Sequence, residues 1–157
     1  MTAKEIWHGE VRAEWVDYNG HMNDAAYAQV FSMALDAFMD QIGLDETGRA
    51  EEVYTIFTLE AHLKYLAEAH EDQMLRVFVT LLDVDAKRMH LWFEMKNDQS
   101  DAIATSEQMA MGMDLNSGRP APFPGKVDEA IVQLPLLEQE LWPTAANQPM
   151  GIRRKKR

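Results

Sequence analysis

The sequence predicts an α+β domain in which an antiparallel sheet wraps around one long helix. Residues 24–42 repeat apolar side chains at helical spacing, and four strand-like runs follow one another between positions 53 and 115. The length of 157 residues leaves room for a single core, one that buries roughly two-thirds of the unfolded surface.

Each element has a local reason. "EIWHGEVRAEWV" (5–16) reads as a first strand, with Val11, Ala13 and Trp15 on alternate positions. From Asp24 to Ile42 the period changes. Tyr27, Val30, Phe31, Ala34, Phe38 and Ile42 share one helical face, and Gln29, Ser32, Asp36 and Asp40 take the other. Asn23 or Asp24 can cap the start and Gly43 suits the end.

"LDETGRAEE" (44–52) reads as a polar loop. "VYTIFTLEAHLKYL" (53–66) then alternates, with Phe57, Leu59, Ala61 and Leu63 on one face and Thr58, Glu60, His62 and Lys64 on the other. "DQMLRVFVTLLDV" (72–84), "RMHLWFEMKN" (88–97) and "AIATSEQMAMGMDL" (102–115) complete the set. Breaks at "EAHE", "DAKR" and "NDQSD" suit hairpins. Residues 1–118 are thus expected to form the domain. Residues 119–157 read as an appendage: a proline-rich exit, a turn or two of amphipathic helix on either side of Pro135, and a basic tail.

Composition excludes several classes. The 157 residues include no cysteine, so disulfides, thiol nucleophiles and thiolate metal sites are ruled out. His62, His70 and His90 lack metal-ligand spacing, and no metal is expected. No apolar run approaches the ~20 residues of a membrane span, and "MTAKEIWHGEV" lacks the apolar core of a signal peptide. A cytoplasmic setting is therefore expected. Up to residue 152 there are 26 acidic residues against 10 basic ones, a balance of −16, and "RRKKR" follows. So acidic a body does not suit nucleic acid, and a terminal charge run reads first as solvated.

The chemistry gathers in "EWVDYNGHMNDAAYAQVF" (14–31). Asp17, Asn19 and His21 occupy alternate positions around Gly20, just before the helix. One account is structural, a polar turn that caps the helix. The other is reactive. A helix N-terminus stabilises negative charge, so a carbonyl docked on the N–H of Asn23 or Asp24 would be polarised. Asp17 could then attack it or act as general base on water, with Asn19 and His21 as orienting groups.

With its strand, "D-x-N-x-H-x-N" turn, central helix and four further strands, the chain resembles the hotdog-fold thioesterases, of the 4-hydroxybenzoyl-CoA type and the plant acyl-carrier type. The likeness spans residues 5 to about 115 and is most specific in "VDYNGHMNDAAY". It implies Asp17 as nucleophile or base, Asn19 and His21 as its amide and imidazole partners, and the backbone at Asn23 and Asp24 as oxyanion site. The family often shows two asparagines where this chain has Asn23–Asp24. The resemblance also implies an acyl-CoA substrate, no separate cofactor, and a homodimer or dimer of dimers in which Glu60 or Tyr65 acts across the interface. Lys87 and Arg88, on a strand turn, correspond to basic residues that meet CoA phosphates.

"WVDYNGHMNDAAY", "FTLEAHLKYLAEA", "DAKRMHLWFEM" and "ATSEQMAMGMD" are similar to the betainyl-CoA thioesterases of bacterial carnitine breakdown. That implies a quaternary ammonium in the acyl group, for which Trp15, Tyr18, Tyr27, Tyr65 and Glu60 could form a cage. Aromatics at such spacing also serve as core. A hotdog enoyl-CoA hydratase is the alternative enzyme, but its longer Asn-to-His spacing does not match. A non-catalytic acyl-CoA binder is the alternative outside enzymes.

Overall fold

The structure, a computed structural model, describes residues 3–155. Its strands are β1 (Lys4–Glu10), β2 (Tyr54–Tyr65), β3 (Met74–Val84), β4 (Arg88–Lys96), β5 (Ala102–Asp114) and the two-residue β6 (Arg119–Pro120). They form one antiparallel sheet in the order β1-β3-β4-β5-β2, with β6 added beside the end of β5. The long helix α1 (Asp24–Gln41) buries Tyr27, Val30, Phe31, Ala34, Leu35 and Phe38. Those side chains share one core with Met89, Leu91, Phe93 and Met95 of β4.

Both ends of α1 are chemically determined. The Asn23 side chain accepts from the Ala26 N–H at 2.9 Å, satisfying one of the orphan donors of the first turn. At the other end Gly43 adopts φ +87°. Leu44 and Gly43 there donate back to the carbonyls of Met39 and Asp40 at 2.8 and 3.4 Å, a Schellman closure.

Four expectations are corrected. The first strand stops at Glu10, and Ala13–Trp15 form a 3-10 turn that buries Trp15; burial of the indole overrides the alternation. Within residues 44–52, Glu46–Glu52 form a short helix, α2, because the Asp45 carboxylate accepts from the Gly48 N–H at 2.7 Å. The break at "EAHE" is a crossover rather than a hairpin, since β2 pairs with β5 and β3 lies two strands further on. Finally, β2 carries a bulge between Thr58 and Glu60. The extra residue shifts the alternation. Thr58, Ala61 and Leu63 consequently face α1, while Glu60 and His62 face away.

Beyond β6, α3 (Gly125–Val132) buries Val127 and Ile131 in the main core together with Phe123. After Pro135 there is only a 3-10 turn at Gln139–Leu141. The chain there crosses the outer face of the sheet, where Ala146 and Trp142 pack with Leu82 and Trp92.

Candidate active site

Val16 and Met22 form an isolated antiparallel bridge, and the five residues between them make a tight polar turn. The Asp17 N–H donates to the His21 carbonyl at 2.8 Å and the Gly20 N–H to the Asp17 carbonyl at 3.0 Å. Gly20 takes φ +79°, a conformation that side-chain-bearing residues rarely adopt. One carboxylate oxygen of Asp17, Oδ1, accepts from the N–H groups of Asn19 and His21 at 2.8 and 3.3 Å. This oxygen closes the turn and meets no N–H of α1, whose cap is Asn23. Oδ2 makes no hydrogen bond among the described residues and is open to the cleft.

The two backbone donors expected at the helix start differ. The Asn23 N–H is spent on the Trp15 carbonyl at 2.9 Å, and the Asn23 side-chain amide donates to the same carbonyl at 2.7 Å. The Asp24 N–H has no acceptor among the described residues. The Asp24 carboxylate turns to the neighbouring Ala25 N–H at 3.0 Å. Asn23 is thus a cap, and the single open donor is that of Asp24.

A cleft of about 480 Å³ unites Asp17, Asn19, His21, Asp24, Tyr27 and Tyr65 with the segment Leu66–Glu68. The segment is held by hydrogen bonds from the Met22 N–H to the Ala69 carbonyl at 2.8 Å and from the Tyr27 hydroxyl to the Ala67 carbonyl at 3.1 Å. Tyr65 stacks edge-on against Tyr27 at 5.3 Å and donates to the Asp24 carbonyl at 3.3 Å. Burial raises the pKa of both phenols, and the negative charge of Asp24 adds to the effect on Tyr65. Both remain neutral hydrogen-bond donors at ordinary pH.

Sequence reasoning missed Glu68, which lies 3.1 Å from His21 Nε2. In "EAHE" it reads as a turn residue; only the crossover brings it to the polar turn. Tyr18, by contrast, is 96% exposed and Trp15 lies in the core, so neither lines the cleft. Glu60 lines a separate cavity on the outer face with His90 and Glu107. His90 and Glu107 pair at 2.7 Å, and the Glu107 carboxylate accepts from the Asn147 N–H at 2.9 Å. That pair anchors the C-terminal crossing.

Lys87 and Arg88 stand at the β3–β4 turn, outside the cleft walls. Asp85 accepts from both backbone N–H groups and from Arg88 Nε, the last at 2.7 Å. These bonds, led by that from the guanidinium, lower the Asp85 pKa to about 2. Lys87 has no carboxylate partner among the described residues.

A family model described as the thioesterase-like superfamily matches residues 11–131. The betainyl-CoA thioesterase of Pseudomonas aeruginosa is 46% identical over 118 residues, 74% of this chain and 74% of that protein. The L-carnitine dehydrogenase/betainyl-CoA thioesterase of Agrobacterium fabrum is 36% identical over 148 residues, which are 94% of this chain but 30% of that protein. A hypothetical protein of Staphylococcus aureus, solved in complex with CoA, superposes with a TM-score of 0.88 at 29% identity over 98% of both chains. The DHNA-CoA thioesterase of the same organism shares the fold, with a TM-score of 0.76 at 14% identity over 88% of this chain and 99% of that one. Since the matched stretch holds the polar turn, α1 and the whole of β2–β5, this chain belongs to the thioesterase-like superfamily and is a hotdog-fold thioesterase.

Proposed function

We propose that this thioesterase hydrolyses short acyl-CoA thioesters, betainyl-CoA first among them, to the free acid and CoA. The observation that carries the reading is the meeting of the Asp17 carboxylate with the open Asp24 N–H in one cleft. A thioester carbonyl docked on that N–H develops its negative charge at the positive end of α1. Asp17 Oδ2 then takes a proton from a water that adds to the carbonyl carbon, or adds to that carbon itself and leaves a mixed anhydride for water to open. On either route the C–S bond breaks, the CoA sulfur ends protonated, and oxygen from water ends in the acid. Asn19 and His21 hold the water or the carboxylate in place.

The acyl group is argued from charge. Asp17, Asp24 and Glu68 make the cleft acidic, and the rings of Tyr27 and Tyr65 stand among them. Such walls draw a cationic acyl group to the site, in keeping with the relatives named for betainyl-CoA. For the CoA phosphates Lys87 is the free cation, whereas Arg88 is already neutralised by Asp85.

Pairing through β2 is proposed as the assembly. This edge strand exposes Phe57 at 50% and Leu59 at 55%, and an uncovered apolar edge invites a second copy. Tyr65, at the end of the same strand, would then stand close to the interface. A CoA thioester as substrate favours the cytoplasm as its setting. No helix among the described residues is long and apolar enough to cross a membrane.

Thiol release from a panel of CoA esters tests the reading. We expect turnover of betainyl-CoA, reduced by about 10²–10⁴-fold in Asp17→Asn. A variant that hydrolyses as fast as the parent would remove Asp17 from the mechanism. Tight CoA-ester binding without turnover in the parent would make the chain a binder.

A further inference from the structure

We infer that Gln108 marks an acyl-head subsite, a pocket beside α1 that selects a compact cationic head through neutral oxygen dipoles. This rests on the thioesterase reading and deepens it. The pocket holds about 240 Å³ and lies between α1 and the β2–β5 pair, lined by Ala28, Ser32, Thr58, Ala61, Ser106 and Gln108. The register accounts for its walls: Ala61 stands opposite Gln108 and Leu63 opposite Ser106, so these side chains share the face turned to the helix.

Gln108 is only 5% exposed. Its Nε2 donates to the Ser106 hydroxyl at 3.0 Å, while its Oε1 is buried with no hydrogen-bond partner among the described residues. An unpaired buried carbonyl is costly to the empty protein. Its presence in a pocket wall is explained if a ligand supplies the missing partner. The neighbouring hydroxyls of Ser32, Thr58 and Ser106 add acceptor oxygens, and no lining side chain carries a charge. Such a wall attracts the diffuse positive charge of a quaternary ammonium without the desolvation cost of a buried carboxylate.

Position limits the acyl length. Asp24, Ala28 and Ser32 follow one another on one stripe of α1, so the pocket begins one helical turn, about 6 Å, beyond the open Asp24 N–H. A head two to four atoms from the thioester carbon spans that gap. The bulge in β2 is what opens the space, because it aims Thr58 and Ala61 inward.

The test compares betainyl-CoA with 3,3-dimethylbutanoyl-CoA, which has the same shape without the charge. The parent protein is expected to favour the cation, and Gln108→Leu to reduce that kcat/KM ratio by about tenfold or more. Thermal unfolding separates this from a structural role. If Oε1 is kept for a ligand, Gln108→Leu melts no lower than the parent; if Gln108 is there for its bond to Ser106, the variant melts lower. An unchanged ratio with normal turnover overturns the subsite and leaves the hydrolysis reading intact. So does a preference for heads that accept rather than lack hydrogen bonds, which would mean the Gln108 amide presents its NH₂. No thiol release from either ester, or from any other CoA ester, in the folded parent overturns the hydrolysis reading and this subsite with it.

Discussion

Asp17 shows how one carboxylate can close a turn and still leave an oxygen open. Oδ1 closes the turn through two backbone N–H groups, which fixes the side chain without a partner from elsewhere in the fold. Oδ2 is thereby aimed rather than free to rotate, an advantage for a group that must meet a carbonyl at a set distance. His21 lacks such self-sufficiency and relies on Glu68. Their side chains are 33% and 66% exposed, and a pair so open contributes at most ~1 kcal/mol to stability. On the proposed mechanism it orients the His21 ring. Glu68→Gln should therefore leave unfolding within ~1 kcal/mol of the parent but lower kcat roughly tenfold with little change in KM. Steady-state kinetics on betainyl-CoA decide this, since a purely structural pair would move stability and leave kcat alone.

Among the elements, α1 matters most, because its first turn joins the core to the cleft. Asn23 spends its side-chain oxygen on the Ala26 N–H and its amide on the Trp15 carbonyl, fastening the helix to the polar turn. Asn23→Ala is expected to cost about 1–2 kcal/mol in denaturant unfolding, and activity should fall as well because Asp24 would lose its position. A cost near zero would show that the cap is dispensable. The β2–β5 pair has its own signature. Tyr54 packs under β6, donating to the Ala121 carbonyl at 2.7 Å, and burial raises its pKa from 10.0 to about 12. The unfolded phenol loses its proton first, so the contribution of Tyr54 is full below pH 10 and is lost as pH rises from 10 to 12. Melting temperatures across that range should decline, and Tyr54→Phe should flatten the decline.

The whole molecule is an acidic body whose sheet has two unlike edges. β1 is short and bulged, which discourages pairing. The longer β2 exposes Phe57 and Leu59 and so carries the proposed dimer. Sedimentation should give a dimer for the parent and monomer for Phe57→Lys/Leu59→Lys. Loss of turnover in that monomer would mean that each cleft draws on the second copy, as Tyr65 at the strand's end suggests. A parent that sediments as a monomer at every concentration would leave the edge unexplained and the dimer refuted.

What the sequence determined by itself was most of what depends on near neighbours, the short helix that Asp45 caps being the exception. Helical spacing identified α1, alternation located β3, β4 and β5 within a few residues, and alternate polar positions around Gly20 singled out Asp17, Asn19 and His21. These features rest on hydrogen bonds and side-chain periods that span at most four or five positions. Near-neighbour signals failed where distant contacts decided. The indole of Trp15 was drawn into the core and ended the first strand early. One inserted residue in β2 put Thr58 and Glu60 on opposite faces, with Glu60 on the outer one away from the cleft. Glu68 and Gln108 carry no local mark at all. The first reaches His21 across a crossover and the second faces α1 through strand register, and both placements follow from how the core closes.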